Sequence, residues 1–87
     1  MRYSIELSRE AADDIDALYR SDRKLFYRII RKMESLEGSP YEGKPLVENH
    51  KGEFSLRVGN YRIVYEIDSK NQILYILTIK HRKHVYR

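Results

Sequence analysis

The spacing of apolar residues changes period part-way along this chain, and that change fixes most of what the chain can build. From Ser8 to Leu36 the apolar residues recur at helical intervals, and from Glu53 onward they alternate one for one. Tyr3, Ile5 and Leu7 predict a short half-buried strand ahead of the helical region. Ser8 offers an N-cap, followed by an apolar face of Ala11, Ile15 and Leu18. Ser21-Asp22 breaks that helix and caps a second, whose face is Phe26, Ile29, Ile30, Met33 and Leu36. Gly38 and Pro40 are stop signals, and residues 38–52 read as a loop anchored by Leu46 and Val47. Phe54, Leu56 and Val58 then alternate into Gly59-Asn60, a pair suited to a type II′ hairpin turn, and Tyr61, Ile63, Tyr65 and Ile67 alternate out of it. Ser69-Lys70-Asn71 is a second turn, and Gln72–Lys80, apolar on both faces, is a more buried strand. The order is β-α-α-β-β-β. It predicts an α+β fold: an N-terminal strand, an antiparallel helical hairpin and a three-stranded antiparallel meander in one sheet, with the helices on one face.

The hairpin turn has a consequence for charge. With a two-residue turn at Gly59-Asn60, Val58 faces Tyr61 and Arg57 faces Arg62. This register gathers Phe54, Leu56, Val58, Tyr61, Ile63, Tyr65 and Ile67 on one face, and a one-residue slip would split that set. Like charges directly opposite cost some tenths of a kcal/mol. Either Glu53 or Glu66 neutralises the two arginines diagonally, or they form a cradle for phosphate, which guanidinium groups bind in bidentate fashion.

Charge along the chain favours the second reading. Residues 1–43 hold 8 Lys/Arg against 9 Asp/Glu, and residues 44–87 hold 9 against 4, giving the net +4. A basic half suits a polyanionic partner. The chain has no cysteine, which excludes disulfides and thiolate metal sites. It has no apolar run long enough to cross a membrane as a helix, so no membrane partner is expected, and the lack of cysteine is compatible with the expected location, a reducing cytoplasm. His81 and His84 form a His-x-x-His pair without a recognisable third ligand, so neither a metal nor any other cofactor is expected. Asp13, Asp14 and Asp16 read as a polar helix face. Tyr61 and Tyr65 fall on the core face and are excluded from the binding surface.

Two motifs in this frame carry a resemblance. Arg57-Val58-Gly59-Asn60-Tyr61-Arg62-Ile63-Val64-Tyr65 resembles the Arg-x-Gly-x-Tyr-Arg-φ-φ-Tyr strand pair of the RelE/ParE toxin superfamily. Ile79-Lys80-His81-Arg82-Lys83-His84-Val85-Tyr86 resembles the closing His-Arg-x-x-x-Tyr segment of RelE-type members. The likeness spans nearly the whole chain and implies one RelE-like toxin domain over residues 1–87.

The resemblance implies an endoribonuclease that cuts messenger RNA on the ribosome, held in check by a cognate antitoxin in a hetero-oligomer. It puts Arg62, Arg82 and Tyr86 on functional positions, with Arg57 a further basic position. Well-known members carry lysines on the strand before the turn, where this chain has Glu53 and Ser55. Lys51 or Lys44 from the loop are the candidate substitutes, and Lys83 adds charge in the tail. Arg62 and Arg82 are expected to stabilise the phosphorane, and Tyr86 to position the nucleotide or move a proton. His81 is the expected acid–base group near neutral pH, with His84 second. Two alternatives share the fold: a ParE-like inhibitor of DNA gyrase, and an attenuated, non-catalytic binding protein.

Overall fold

The computed structural model describes residues 2–46 and 52–84. The elements run β1 (Ser4–Leu7), α1 (Arg9–Ser21), α2 (Arg23–Leu36), β2 (Lys44–Pro45), β3 (Glu53–Val58), β4 (Tyr61–Asp68) and β5 (Ile73–His81), and a 3-10 turn at Arg82–His84 follows. The five strands form one sheet in the order β1-β5-β4-β3-β2. β1 runs parallel to β5, and the other pairs are antiparallel. Both helices pack on one face, α1 against β5 and α2 against β3. The α+β class, the helical hairpin and the meander are as the periodicity predicts.

The capping residues act as their types suggest. Ser8 Oγ accepts from the Ala11 N–H at 3.0 Å, and Asp22 Oδ1 accepts from the Leu25 N–H at 3.1 Å. Asp22 serves both helices, because its own N–H donates to Leu18 O at 2.8 Å. Its double duty makes the connection as short as a helical hairpin allows. Ala11 and Leu18 of α1 and Ile29, Met33 and Leu36 of α2 are buried against Val58, Ile63, Tyr65, Leu74, Ile76 and Ile79 of the sheet.

Two features depart from the sequence reading. The loop expected over residues 38–52 contains β2, which pairs Lys44 with Ser55 and Pro45 with Phe54. Two residues are too few to show alternation, so their pairing is set from outside. Tyr65, fully buried, donates its hydroxyl proton to Pro40 O at 2.8 Å and accepts from the Gly43 N–H at 3.0 Å. A Cβ on Gly43 would lie 2.7 Å from that hydroxyl and 2.9 Å from Ser55 O, so the approach requires glycine.

The second departure is a bulge. Val64 pairs with Thr78 and Tyr65 with Ile76, leaving Leu77 as an extra residue in β5. Leu74 and Ile76 face the core before the bulge, and Ile79 faces it after. The change of phase is why β5 reads as apolar on both faces.

Candidate functional site

The register at the hairpin is the one the turn dictates. Val58 pairs with Tyr61 and Arg57 with Arg62. Gly59 has φ +60, the left-handed conformation that a II′ turn needs at its first central residue. The set Phe54 to Ile67 lies in or against the core. The sheet face away from the helices therefore carries a row of Arg57, Arg62 and Lys80, and beside it a row of Lys44, Ser55, Val64 and Thr78. Strands in one sheet lie about 4.8 Å apart, so each row is compact.

The cations of the first row are held differently. Arg57, exposed, donates from Nε to Gly59 O at 3.0 Å. Arg62, half-buried, donates from Nη1 to Ser55 Oγ at 3.2 Å. Neither arginine has a carboxylate within ion-pair distance among the described residues. Ser55 takes the place of a strand lysine here and orients Arg62 through its hydroxyl. Ser55 and Val64 are nonetheless 3% and 6% exposed, so this face is better covered than the open sheet the alternation suggested.

Lys80 is occupied. Its Nζ lies 2.6 Å from Asp14 Oδ1 and 3.3 Å from Glu10 Oε2. The hydrogen bond to Asp14 chiefly holds its pKa above the usual lysine value, with Glu10 adding to the effect against the cost of burial. Asp14 Oδ2 also accepts from the Ile79 N–H at 2.9 Å. The helical spacing of Asp13, Asp14 and Asp16 conceals this role, because the partners lie 65 and 66 residues away.

Of the residues predicted for the site, Lys44 joins the arginine face through β2. Arg82 is exposed and held at the same end of the sheet, its N–H donating to Asn60 O at 2.7 Å. Lys83 is exposed beside it, its N–H directed to His81 Nδ1 at 3.3 Å. Lys51, Tyr86 and the side chain of His84 lie outside the described residues.

His81 is not brought to the face of Arg57 and Arg62. It pairs with Tyr61, whose ring it meets edge-on at 5.6 Å, while Lys80 pairs with Arg62. Neighbouring residues on a strand point to opposite faces, so His81 shares the helix side with Tyr61 and Ile79. Unbroken alternation from Leu74 and Ile76 would put Lys80 inside and His81 beside Arg62. The bulge at Leu77 reverses that.

The comparisons agree with this architecture. A family model described as ParE toxin of type II toxin-antitoxin system, parDE, matches residues 5–86. Toxin RelG of Mycobacterium tuberculosis is 44% identical over 45 residues, 52% of each chain, so the matched segment spans about half the length of that curated relative. The toxin–antitoxin complex RelBE2 from Mycobacterium tuberculosis contains a chain of the same fold. Its TM-score is 0.82 at 27% identity, over 94% of this chain and 100% of that one. The YoeB/ParE toxin from Agrobacterium tumefaciens shares the fold with TM-score 0.82 at 20% identity, over 90% and 96% of the two chains. The archaeal RelE–RelB complex from Pyrococcus horikoshii does so with TM-score 0.73 at 21% identity, over 98% and 100%.

Proposed function

The chain belongs to the ParE toxin family of type II toxin–antitoxin systems, and from that premise we propose that it is an endoribonuclease that cleaves messenger RNA on the ribosome. The observation that carries this reading is the pair of arginines facing each other on the helix-free sheet face, without carboxylate partners among the described residues. In the proposed step a base removes the ribose 2′-OH proton, and the 2′-oxygen attacks the adjacent phosphorus. The P–O5′ bond breaks and the leaving oxygen is protonated. The products are a 2′,3′-cyclic phosphate and a 5′-hydroxyl.

Arg62 and Arg82 stabilise the charge that builds on the phosphorane, an effect typically worth ~10²–10³ in rate per donor. Arg57 and Lys44 hold the flanking backbone, with Lys51 and Lys83 adding charge. Tyr86 takes the nucleotide-positioning or proton-transfer role that the family motif implies. His81 faces the helices and is not assigned a proton in this scheme. A cognate antitoxin with an acidic segment is the proposed partner. The basic half of the chain favours it, and RelBE2 is itself a toxin–antitoxin complex.

Primer extension on translated message tests the reading. Wild type should leave new 5′ ends, and Arg62→Ala with Arg82→Ala should abolish them. Equal cleavage by both proteins would overturn it. The matching family model is named for ParE, which supports a second reading as an inhibitor of DNA gyrase. Loss of gyrase supercoiling without message cleavage would favour that one.

A further inference from the structure

Arg57 has a second neighbourhood. It lines a hollow of about 380 Å³ between α2 and the hairpin, together with Arg28, Arg31, Lys32 and Ser35. An adjoining hollow of about 470 Å³ is lined by Asp22, Lys24, Arg28, Asn60 and His81 among others. Arg28 and Gly59 belong to both. The Arg28 guanidinium lies against the turn, 3.6 Å from where a Cβ on Gly59 would sit. The two adjoining hollows form a basic groove along α2, with Arg28 and Gly59 where they meet.

Lys24, Arg28 and Arg31 follow one another at i, i+4 and i+7, on a single side of α2 over about 10 Å. All three are exposed. None of them, nor Arg57, has a carboxylate partner among the described residues. Lys32 is paired with Glu42 at 2.6 Å, and the Asp22 carboxylate caps α2. The apolar lining is confined to Leu25, Val58 and Tyr61, which pack on or within the core. A partner helix would find charge here and no well for an apolar anchor. A phosphodiester backbone needs only the charge.

We propose that this groove binds backbone phosphates of the RNA strand flanking the cleaved bond, so that Arg57 joins two tracks: the sheet face of Arg62 and the helix face of Arg28 and Arg31. The proposal rests on the ribonuclease reading above. It gives α2 a role in holding substrate and none in the chemical step.

The test is binding of a labelled 2′-O-methyl RNA, which cannot be cleaved, to the full-length chain across a salt series. Each lost phosphate contact lowers the slope of log affinity against log salt by about 0.7 for a single strand. Arg28→Ala with Arg31→Ala should therefore lower it by about 1.4 and weaken binding to all sequences alike. Lys70→Ala, an exposed charge in the far β4–β5 turn, should leave the slope unchanged. Circular dichroism establishes that each variant is folded, and Arg31→Ala alone serves where the double variant is not. An unchanged slope in the groove variants, with binding still lost in Arg62→Ala, overturns the groove and leaves the ribonuclease reading standing. No binding of wild type to the RNA overturns the groove, and primer extension on translated message then decides the ribonuclease reading separately. Loss of poly-glutamate binding in the groove variants with RNA binding intact would assign the groove to a protein partner and overturn the proposal.

Discussion

Arg62 and Lys80 are cross-strand neighbours on the same sheet face, yet their surroundings differ in kind. Lys80 is gripped by Asp14 and Glu10 of α1. Among the described residues, Arg62 has only the hydroxyl of Ser55, and Arg57 beyond it only a turn carbonyl. The carboxylates stand on the side of the sheet where a cation ties a helix to a strand. At the hairpin, where two arginines face each other across a turn, neither has an ion-pair partner among the described residues. An unneutralised pair of that kind costs stability unless an anion completes it, whereas the Lys80 cluster is complete as it stands. The difference separates charge used to assemble the fold from charge left open for a ligand.

The sharpest way to break this comparison is to remove one member from each side. Arg62→Ala should lower single-turnover cleavage by ~10²–10³ and leave thermal stability nearly unchanged. Lys80→Ala should do the reverse, losing stability while cleavage stays within a few-fold. If both variants lost cleavage equally, the division between structural and open charge would fail.

Next in size is Gly43→Ala. The added methyl would meet both the Tyr65 hydroxyl and the backbone of Ser55, and relief requires the segment from Pro40 to Pro45 to move. Overpacking of this kind costs about 1–3 kcal/mol, readable as a lower urea midpoint. Because Lys44 reaches the arginine face only through β2, the variant should also bind uncleavable RNA more weakly. Lower stability with undiminished binding would detach Lys44 from the site.

Much of the arginine half was legible in the sequence, because the rules involved are local. A glycine that tolerates positive φ and seven alternating apolar residues fix the register at Arg57 and Arg62 without reference to the rest of the chain. The other half was not. Asp14 looks like any exposed helix residue until β5 arrives 65 residues later with an unpaired N–H. β2 exists because Tyr65 ties down the segment before it. The placement of His81 turned on a single extra residue, Leu77, whose bulge is set by the match between β4 and β5 and by nothing in the tail itself. Where a contact is made by distant segments, periodicity gives the face only until the first irregularity.

Asp14→Ala sharpens the structural side of the comparison. It strips the nearer of two acceptors from Lys80, leaving Glu10, and removes the acceptor of the Ile79 N–H. A part-buried donor left unsatisfied costs about 1–3 kcal/mol, so the lower end is expected if water reaches the sheet edge. Hydrogen exchange at Ile79 should accelerate in this variant while the exchange of Ile63, in the hairpin, keeps its wild-type protection. Equal acceleration at both would mean that the clasp holds the whole fold and not just the end of β5.

The smallest effect is in alkaline stability. Lys80 is held above its usual 10.5 by Asp14, and Tyr65 above its usual 10.0 by burial. In both cases the folded chain keeps a proton that the unfolded chain releases first. The stability they contribute is therefore complete below the unfolded values and is lost as pH rises through the folded ones. Each group can add a slope of at most about −1.4 kcal/mol per pH unit in that window, and solvent screening at Lys80, whose side chain is 32% exposed, makes its share smaller. Urea unfolding from roughly pH 8 to 11.5 reads the sum. Tyr65→Phe should remove one component and Lys80→Met the other. Arg62→Ala, on the open side of the sheet, should leave the alkaline slope as it is; a flattened slope in that variant would mean that the two sides share their charge after all.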